Sequence, residues 1–438
     1  MTLFGTSGIR GPVGETVTAS LALALGRALG VDSTRVVVGR DPRTSGEYLR
    51  SALVAGLRES GTDVVDLGVA ATPTIARAVG WREAEAGVAI TASHNPATDN
   101  GLKLWQPSGQ AFDAERRERI EERIATDAFD PAAWDAVGSV ESRNDEARHA
   151  AAIRAELGRE DVDSRVVVDV GNGAGGVTVD VLGSLGCHVE TLNARPDGAF
   201  PGRPSEPTAE NCGSLATLVA GSDADLGIAH DGDADRMRAV AADGTYLSGD
   251  ALLAIFARDA ADAGQRVAVP VDTSLAVADY LAEGDIAVEY TPVGDVHVAA
   301  AASEAGVAFG GEPSGAWIWP DRTLCPDGPL AAARVAALDA DRSLVDRLAA
   351  VPSYPIRRDS VETDRKAAVM EGVRERVLER YDDVTTLDGV RVDLGDGWFL
   401  VRASGTQPLV RVTAEARETA RADDVLSTAR GLVATDTE

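Results

Sequence analysis

The sequence at residues 86–96 reads AGVAITASHNP, an apolar run that leads directly into a polar turn. Ala86–Ile90 has the length and composition of a buried strand, and Thr91–Pro96 supplies residues that end one. In α/β folds, ligands bind outside the carboxyl ends of the strands, where such a turn lies. We therefore interpret Ser93 as a candidate nucleophile and His94 as a neighbour that can form hydrogen bonds. The alternative is a polar turn without chemistry, which is the commoner use of these residue types.

Similar strand-to-turn units recur on both sides of this stretch. The runs that begin at Arg35, Val166 and Arg266 each lead through a polar or glycine-containing turn into a helical pattern. Spacings of about 100 residues are domain-sized and too long for a solenoid repeat. The pattern predicts an α/β fold of three tandem related domains with mixed sheets, at residues 1–145, 146–245 and 246–350. In residues 351–438 segments with the alternating pattern of strands precede a final helical pattern. This order predicts a smaller α+β domain. The polar segment 140–147 is interpreted as a linker.

The chain is strongly acidic. Its 438 residues include 70 Asp and Glu against 42 Lys and Arg, and the only lysines are Lys103 and Lys366. Such a surface is unfavourable for nucleic acid and for anionic lipid, so we expect neither as a partner. Carboxylates keep a surface hydrated where salt screens their mutual repulsion, which indicates a halophilic protein.

Neither a secretion signal nor a membrane span is visible in the sequence. The first residues lack a basic region followed by an apolar run, and no apolar stretch reaches the length of a span. Three widely separated cysteines argue against a disulfide framework or a zinc motif. We expect a cytoplasmic monomer or homodimer, in which His149 and His188 occupy surface or helix-end positions.

The strongest chemical signal is HDGDADR at residues 230–236. Three aspartates alternate in this loop and can turn their carboxylates toward one cation: Asp231, Asp233 and Asp235. Oxygen-only donors that leave room for a phosphate oxygen suit Mg²⁺. An EF-hand is excluded, because Arg236 and Ala242 stand where it needs Gly and Glu. The remaining alternative is a solvated acidic loop.

Two further loops carry groups suited to a sugar phosphate. GGEPSG at residues 310–315 presents the Glu312 carboxylate and the Ser314 hydroxyl in a rigid turn, which suits adjacent sugar hydroxyls. RASGTQP at residues 402–408, with Arg411 beyond it, combines hydroxyls, backbone N–H groups and two guanidiniums into a phosphate cradle. Ordinary turns with incidental polar residues are the alternative at both places.

Two cationic residues, Lys103 after the serine turn and Arg10 near the start of the chain, are also candidates for contact with a phosphate or another anion. Lys103 follows Asn100-Gly101 and could carry a proton or balance the charge of a phosphate, the alternative being an exposed lysine. Arg10 stands in FGTSGIRG, residues 4–11, where glycines beside an arginine suit anion recognition. A plain glycine turn is the alternative there.

Together these stretches resemble the α-D-phosphohexomutase family across essentially the whole chain. Four motifs occur in the family's order: the serine loop 91–96, the metal loop 231–236, the sugar loop 311–315 and the phosphate loop 402–408. The resemblance implies four domains around a deep central cleft, with a phosphorylated serine as the working form. It implies that Ser93 carries the phosphate and that a phosphoserine oxygen and the three aspartates hold one Mg²⁺.

The resemblance also assigns roles to further residues. Lys103 matches a position in proton transfer and Arg236 one at the reacting phosphate, with His94 and Arg10 as further residues of the reacting centre. The implied sugar contacts are Gly311, Glu312, Ser314 and Asp295. The implied contacts to the non-reacting phosphate are Arg402, Ser404, Gly405, Thr406 and Arg411.

The implied reaction is a phosphoryl exchange. Phosphoserine gives its phosphoryl group to a hexose monophosphate, and the 1,6-bisphosphate formed, which is also the activator, reorients and returns its other phosphate to Ser93. Gln407 departs from the family's usual Glu, and the loop 291–295 lacks the His or Lys of glucose- and mannose-type members. Asp295 resembles the glucosamine-type members, and a carboxylate suits an ammonium-bearing sugar. We therefore favour interconversion of glucosamine 6-phosphate and glucosamine 1-phosphate.

Several alternatives stay open. Within the family they are phosphoglucomutase/phosphomannomutase activity and phosphopentomutase activity. From other classes they are a metal-dependent phosphatase that works through phosphoserine and a non-catalytic protein that binds sugar phosphates. Separate sugar and phosphate loops favour a mutase, because a mutase must recognise its substrate from two sides and a hydrolase need not.

Overall fold

The computed structural model describes residues 3–5, 8–159, 161–404 and 408–434. The chain forms two compact units. The first consists of Met1–Leu252 and Ser314–Leu348, and the second of Leu253–Pro313 and Ala349–Glu438. Within the described residues the strands form four sheets. No helix in these ranges is both long and apolar enough to cross a membrane.

The first unit contains a six-stranded mixed sheet. Its strands are β1 (Ile9–Pro12), β2 (Arg35–Arg40), β3 (Asp63–Val69), β4 (Ala86–Ile90), β5 (Asp99–Trp105) and β6 (Val140–Ser142). They lie in the order β1-β5-β4-β2-β3-β6. The last four strands in this order are parallel, whereas β5 is antiparallel to both β4 and β1. The accompanying helices are α1 (Ala19–Gly30), α2 (Gly46–Glu59), α3 (Thr72–Trp81) and α4 (Ala114–Thr126).

Buried β-branched residues and close helix packing build this layer. Residues 36–38 of β2 are valines with no exposed surface, as expected of a central parallel strand that is covered on both faces. Helices α1 and α2 approach closely at facing glycines. A Cβ atom on Gly26 would lie 2.3 Å from the Leu53 oxygen, and one on Gly56 would lie 2.2 Å from the Leu23 oxygen. Side chains at these two positions would push the helices apart.

A second sheet follows within the same unit. Its strands are β7 (Arg165–Asp169), β8 (His188–Leu192), β9 (Leu226–His230) and β10 (Met237–Ala241), and its helices are α5 (Glu146–Leu157), α6 (Val177–Ser184) and α7 (Gly213–Ala220). The strand order is β10-β9-β7-β8, with β10 antiparallel to β9 and the other neighbours parallel. The loop 231–236 is therefore the connection between two antiparallel neighbours at the edge of this sheet.

The next elements are α8 (Gly249–Ala260), β11 (Arg266–Pro270), α9 (Leu275–Ala282), β12 (Ala287–Thr291), α10 (Asp295–Ala302) and β13 (Val307–Gly311). In the second unit β11 pairs in parallel with both β12 and β13. The loops after β12 and β13 therefore leave the sheet at the same edge. The elements β14 (Trp317–Ile318), α11 (Gly328–Asp341) and α12 (Leu344–Leu348) belong to the first unit.

The C-terminal part of the second unit is an antiparallel sheet with two helices. Its elements are β15 (Ile356–Glu362), α13 (Lys366–Arg380), β16 (Val384–Thr385), β17 (Val390–Asp393), β18 (Gly397–Ala403), β19 (Leu409–Ala416) and α14 (Thr419–Ala434). The order is β15-β19-β18-β17-β16. Buried valines of the sheet pack against α13 and α14 in one core.

The predicted fold class, tandem α/β domains before a C-terminal α+β domain, is confirmed. Two local predictions are only partly right. The presumed linker 140–147 contains β6, an exposed edge strand parallel to β3, and the start of α5. His149 is in the first turn of α5 but has no exposed surface, because its ring bonds to Thr74 Oγ1 at 2.8 Å and Asp327 Oδ2 at 3.1 Å.

Candidate active site

Ser93 lies just beyond β4, in the predicted turn. Its backbone has φ 53°, a left-handed conformation that costs a non-glycine residue on the order of 1 kcal/mol. The residue is 1% exposed. Ser93 Oγ donates a hydrogen bond to Asp231 Oδ2 at 2.6 Å, and Asp235 Oδ1 lies 3.4 Å away. The hydroxyl from the first sheet therefore points into the acidic loop of the second.

A buried guanidinium, Arg43, fixes the shape of the serine turn. Arg43 has no exposed surface, and it donates to the carbonyl oxygens of Ser93, Asn95, Pro96 and Asp99. The Asp41 carboxylate in turn accepts from Arg43 Nε at 2.9 Å and from Thr91 Oγ1 at 2.7 Å. This network holds the strained backbone at Ser93 in place.

Three buried carboxylates converge beside Ser93. One side-chain oxygen from each of Asp231, Asp233 and Asp235 lies within 4.8 Å of the others. Thr72 Oγ1 donates to Asp233 Oδ2 at 2.6 Å. The other oxygen, Asp233 Oδ1, is buried and has no hydrogen-bond partner among the described residues. An all-oxygen donor set with an unsatisfied buried acceptor fits a hard cation such as Mg²⁺.

Lys103 brings a positive charge to this cluster. Its Nζ donates to Asp233 Oδ2 at 2.9 Å and also contacts Asp235. The sheet explains this position, because β5 runs antiparallel beside β4 with Lys103 opposite Ala89. The exposed-lysine alternative is wrong, since Lys103 is 3% exposed.

The pKa values of Asp231 and Asp233 shift in opposite directions. Burial, followed by the charges of Asp235 and Asp233, raises the pKa of Asp231 well above its usual range. Burial acts in the same direction on Asp233, but the Lys103 charge and the hydrogen bonds from Thr72 and Lys103 outweigh it and lower the pKa of Asp233. A bound divalent cation would favour the ionised form of these ligands.

Positive charge surrounds His94. Burial, followed by the charges of Arg236, Arg10 and Lys103, lowers the pKa of His94 to about 3, so its ring is neutral near pH 7. His94 Nδ1 and Arg10 Nε are both buried and lack a hydrogen-bond partner in the part of the chain that the structure describes. Unsatisfied polar atoms and converging cations beside a hydroxyl suit a phosphate group.

In the second unit, three predicted sugar contacts lie at the same sheet edge: Gly311, Glu312 and Asp295. Glu312 follows β13, whose last residue is Gly311, and its Oε1 accepts from Gly294 N at 2.7 Å. Asp295, the next residue, begins α10. Ser314, in the turn after β13, begins the segment that belongs to the first unit.

The predicted phosphate contacts are partly described. Arg402 on β18 and Arg411 on β19 are cross-strand partners, which places both side chains on one face of the sheet. Arg402 Nε donates to Asp388 Oδ1 at 3.0 Å. Gly405, Thr406 and the departure at Gln407 lie outside the described residues.

Sequence reasoning missed three residues that support these sites: Arg43, Thr72 and Lys366. Lys366, at the start of α13, donates to the Ser404 carbonyl oxygen at 2.5 Å and so anchors the beginning of the phosphate loop. The scarcity of lysine was an available signal for it. Arg43 stood in a charged turn and Thr72 at a helix start, where neither residue type is unusual.

Family models match nearly the whole length of the chain. They are the three alpha/beta/alpha domains and the C-terminal domain described for phosphoglucomutase/phosphomannomutase. Domain I matches residues 1–131, domain II residues 147–244, domain III residues 248–354 and the C-terminal domain residues 358–430.

Relatives of similar length share almost half of its residues. A "Probable phosphoglucosamine mutase" of Methanococcoides burtonii is 46% identical over 437 residues, which cover 99% of each chain. A protein of the same name from Methanopyrus kandleri is 47% identical over 96% of this chain and 95% of its own.

Solved structures show the same architecture. A phosphoglucomutase/phosphomannomutase family protein from Burkholderia thailandensis superposes with a TM-score of 0.89 at 28% identity, over 100% of this chain and 98% of its own. The N-acetylphosphoglucosamine mutase of Aspergillus fumigatus shares the fold, with a TM-score of 0.63 at 18% identity over 100% and 96% of the two chains.

Proposed function

The chain belongs to the phosphoglucomutase/phosphomannomutase family, and we propose that it interconverts glucosamine 6-phosphate and glucosamine 1-phosphate. As a phosphohexomutase it is an isomerase that moves phosphate within a sugar phosphate. The choice of sugar is supported by the names of relatives that match along their whole length. It is also supported by Asp295, a carboxylate in the loop 291–295, where an ammonium-bearing sugar gains a counter-charge.

In the proposed reaction Ser93 is a phosphoryl carrier. A hydroxyl oxygen of the sugar phosphate attacks the phosphorus of phosphoserine, and the bond between Ser93 Oγ and phosphorus breaks. The hydroxyl proton passes through Lys103 to the serine oxygen. The bisphosphate then reorients, Ser93 Oγ attacks its other phosphate, and the proton passes back to the sugar oxygen that leaves. Each cycle restores the phosphoserine and leaves the phosphate at the other position of the sugar.

We assign one Mg²⁺ to the acidic cluster. Asp231, Asp233 and Asp235 would hold it with an oxygen of phosphorylated Ser93. The metal, when bound, offsets charge on the transferring phosphoryl group. Arg10, His94 and Arg236 would contact the same group, and the positive field of the two arginines lets a dianion enter a protein with a formal net charge of −28.

The other predicted residues would bind the rest of the substrate. Arg402, Arg411 and Ser404, with Gly405 and Thr406, would bind the non-reacting phosphate. Glu312, Ser314 and Gly311 would contact sugar hydroxyls, and Asp295 would face the amino group. Recognition from both sides is what distinguishes a mutase from a phosphatase, because the bisphosphate must be held in two orientations.

One observation carries this proposal: the strained, buried Ser93 hydroxyl lies 2.6 Å from a carboxylate of a three-aspartate cluster. A hydrolytic serine would instead need a histidine base oriented by an acid. His94 is a poor base, because its pKa of about 3 leaves it with little affinity for a proton. The site therefore fits a serine that stores a phosphoryl group.

The test is a substrate panel at high KCl with Mg²⁺ and a hexose 1,6-bisphosphate as activator. Glucosamine 6-phosphate, glucose 6-phosphate, mannose 6-phosphate and ribose 5-phosphate are followed by ³¹P NMR. We expect a 1-phosphate product, formed fastest from glucosamine 6-phosphate. Stoichiometric inorganic phosphate without isomerised sugar would instead establish a phosphatase. If glucose 6-phosphate or mannose 6-phosphate reacts fastest, the proposed sugar is wrong and the proposed reaction stands.

A further inference from the structure

The loop 291–295 is held by two carboxylates from different parts of the second unit. Two consecutive backbone amides donate to them: Val293 N to Asp388 Oδ2 at 3.2 Å, and Gly294 N to Glu312 Oε1 at 2.7 Å. Gly294 has φ 129°, a conformation that favours glycine. In this conformation the two consecutive N–H groups can bond to two different carboxylates. The position of Asp295, the next residue, depends on these two bonds.

Asp388 also bonds to the phosphate side of the site. Its Oδ1 accepts from Arg402 Nε at 3.0 Å, while its Oδ2 accepts from Val293 N. One carboxylate therefore joins a guanidinium of the phosphate loop to the loop that carries Asp295. The bond to Asp388 uses Nε, so the terminal Nη groups of Arg402 are not part of it.

Asp388 is well placed to respond to a ligand. Its side chain is 26% exposed and that of Arg402 is 35% exposed, and both line a concavity of about 320 Å³. A pair at this exposure contributes little to folding stability by itself. A phosphate dianion that binds the Arg402 Nη groups shares the charge of the guanidinium with Asp388, and so changes how firmly that carboxylate is held and how firmly it holds Val293.

We propose that Asp388 is a positioning residue that couples binding of the non-reacting phosphate to the choice of sugar. The proposal rests on the proposed function, in which Arg402 binds that phosphate and Asp295 and Glu312 face the sugar. Without Asp388, Arg402 still binds phosphate, but the loop 291–295 loses one of its two anchors. Discrimination between sugars should therefore fall, because the loop that carries Asp295 is held less firmly. The affinity for phosphate should be kept, because Arg402 is unchanged.

The experiment compares Asp388→Ala and Asp388→Asn with the wild type. The control is Asp382→Asn, which removes the same charge from an exposed position of the same domain. The quantities measured are kcat/KM for glucosamine 6-phosphate and for glucose 6-phosphate, and the affinity for inorganic phosphate by calorimetry. Asp388→Asn keeps an oxygen that can accept from Val293 N, so it separates the loop anchor from the charge.

For Asp388→Ala we expect the ratio of the two kcat/KM values to fall by about tenfold or more, since small misplacements of a binding group are costly. Inorganic phosphate should bind as tightly as to the wild type or more tightly. In Asp388→Asn this ratio should fall less than in Asp388→Ala. In Asp382→Asn it should equal that of the wild type. A merely structural role would lower both kcat/KM values equally and leave their ratio unchanged, which would overturn the proposal, as would loss of phosphate affinity.

Failure of the proposed function would show separately. If the wild type converts neither sugar phosphate, the same comparison is made by calorimetric binding of both sugar phosphates in EDTA. A ratio of affinities that falls in Asp388→Ala still supports the coupling. A ratio equal to that of the wild type, or no binding to the wild type, overturns it.

Discussion

At the scale of single residues, Ser93 combines a left-handed backbone, nearly complete burial and a hydrogen bond to Asp231. A non-glycine residue stays in the left-handed conformation only where surrounding interactions hold it there. Such residues cluster at functional sites. Here Arg43 holds the backbone, because it donates hydrogen bonds to carbonyl oxygens of Ser93 and of residues that follow it in the turn. The shape of the turn is thus maintained independently of the serine side chain.

Ser93→Ala should therefore remove turnover and leave the fold intact. We expect kcat to fall by roughly a thousandfold or more, as for the loss of other nucleophiles. Circular dichroism and the thermal midpoint should stay close to those of the wild type. Mass spectrometry should detect phosphate on the peptide that contains residue 93 in the wild type and none on that peptide in Ser93→Ala. Ser222→Ala, an exposed serine in the same unit, is the control, and retained activity in Ser93→Ala would exclude Ser93 as the carrier.

Asp233→Asn tests the metal assignment. The substitution leaves a similar shape but removes the charge beside Lys103, so Mg²⁺ should bind at least about tenfold more weakly and activity should fall by about two orders of magnitude. Calorimetry with Mg²⁺ measures the first effect without turnover. Asp163→Asn, an exposed aspartate of the same unit, should change neither. Activity of the wild type that survives a chelator would contradict the assignment.

At the scale of elements, α3, α5 and α11 meet at a buried ion network. Arg77 of α3 donates to Asp327 Oδ2 at 2.7 Å and to both Glu156 oxygens at 2.6 and 3.0 Å. Asp327 also caps α11, since its Oδ1 accepts from Leu330 N at 2.9 Å. One carboxylate thus satisfies a helix terminus, a guanidinium and the His149 ring.

Asp327→Asn should destabilise the first unit by about 3 kcal/mol, because it leaves Arg77 buried with one partner fewer while an amide oxygen can still cap the helix. Denaturant unfolding measures this loss, and Asp341→Asn, which breaks a more exposed pair with Arg159, should cost less than about 1 kcal/mol. Equal losses in the two variants would contradict the special role of the network.

The same network gives a pH dependence. Burial would raise the pKa of Asp327, but the charges of His149 and Arg77 outweigh it and lower the pKa below its ordinary value of 3.8. A lowered carboxyl pKa stabilises the folded state above pH 3.8, and this contribution is lost as the pH falls through the folded-state value. Acid unfolding below about pH 4 should therefore be less steep in Asp327→Asn than in the wild type.

Elements with strong local signals could be predicted from the sequence. The valine run of β2, the strand before Ser93 and the aspartate loop after β9 all lie where expected, because burial pattern and turn residues are local properties. β6 has three exposed residues and no periodicity, so it read as a linker. The buried His149 ring bonds to Asp327, 178 residues away, and Arg43 donates to carbonyl oxygens 50 to 56 residues away. No local pattern encodes such partners.

At the scale of the whole molecule, acidic charge dominates. With 70 acidic against 42 basic residues, self-repulsion opposes the compact state at low salt. Raising KCl from 0.1 to 2 M shortens the Debye length from about 10 Å to below about 3 Å. The thermal midpoint should rise by roughly 5 °C or more, which corresponds to about 5 kcal/mol for 438 residues at about 2.1 cal/mol/K per residue. An uncharged osmolyte, sucrose, controls for surface exclusion, and a midpoint that salt leaves unchanged or lowers would contradict the halophilic interpretation.

The two lysines have a practical consequence for covalent labelling. Apart from the N-terminal amine, a reagent selective for primary amines, such as an activated ester, has only Lys103 and Lys366 to acylate. One amine is buried against aspartates near the serine, and the other donates to the Ser404 carbonyl at the start of the phosphate loop. Peptide mass spectrometry of acylation rates would therefore report ligand occupancy at each place separately, without an engineered cysteine or a fluorescent tag.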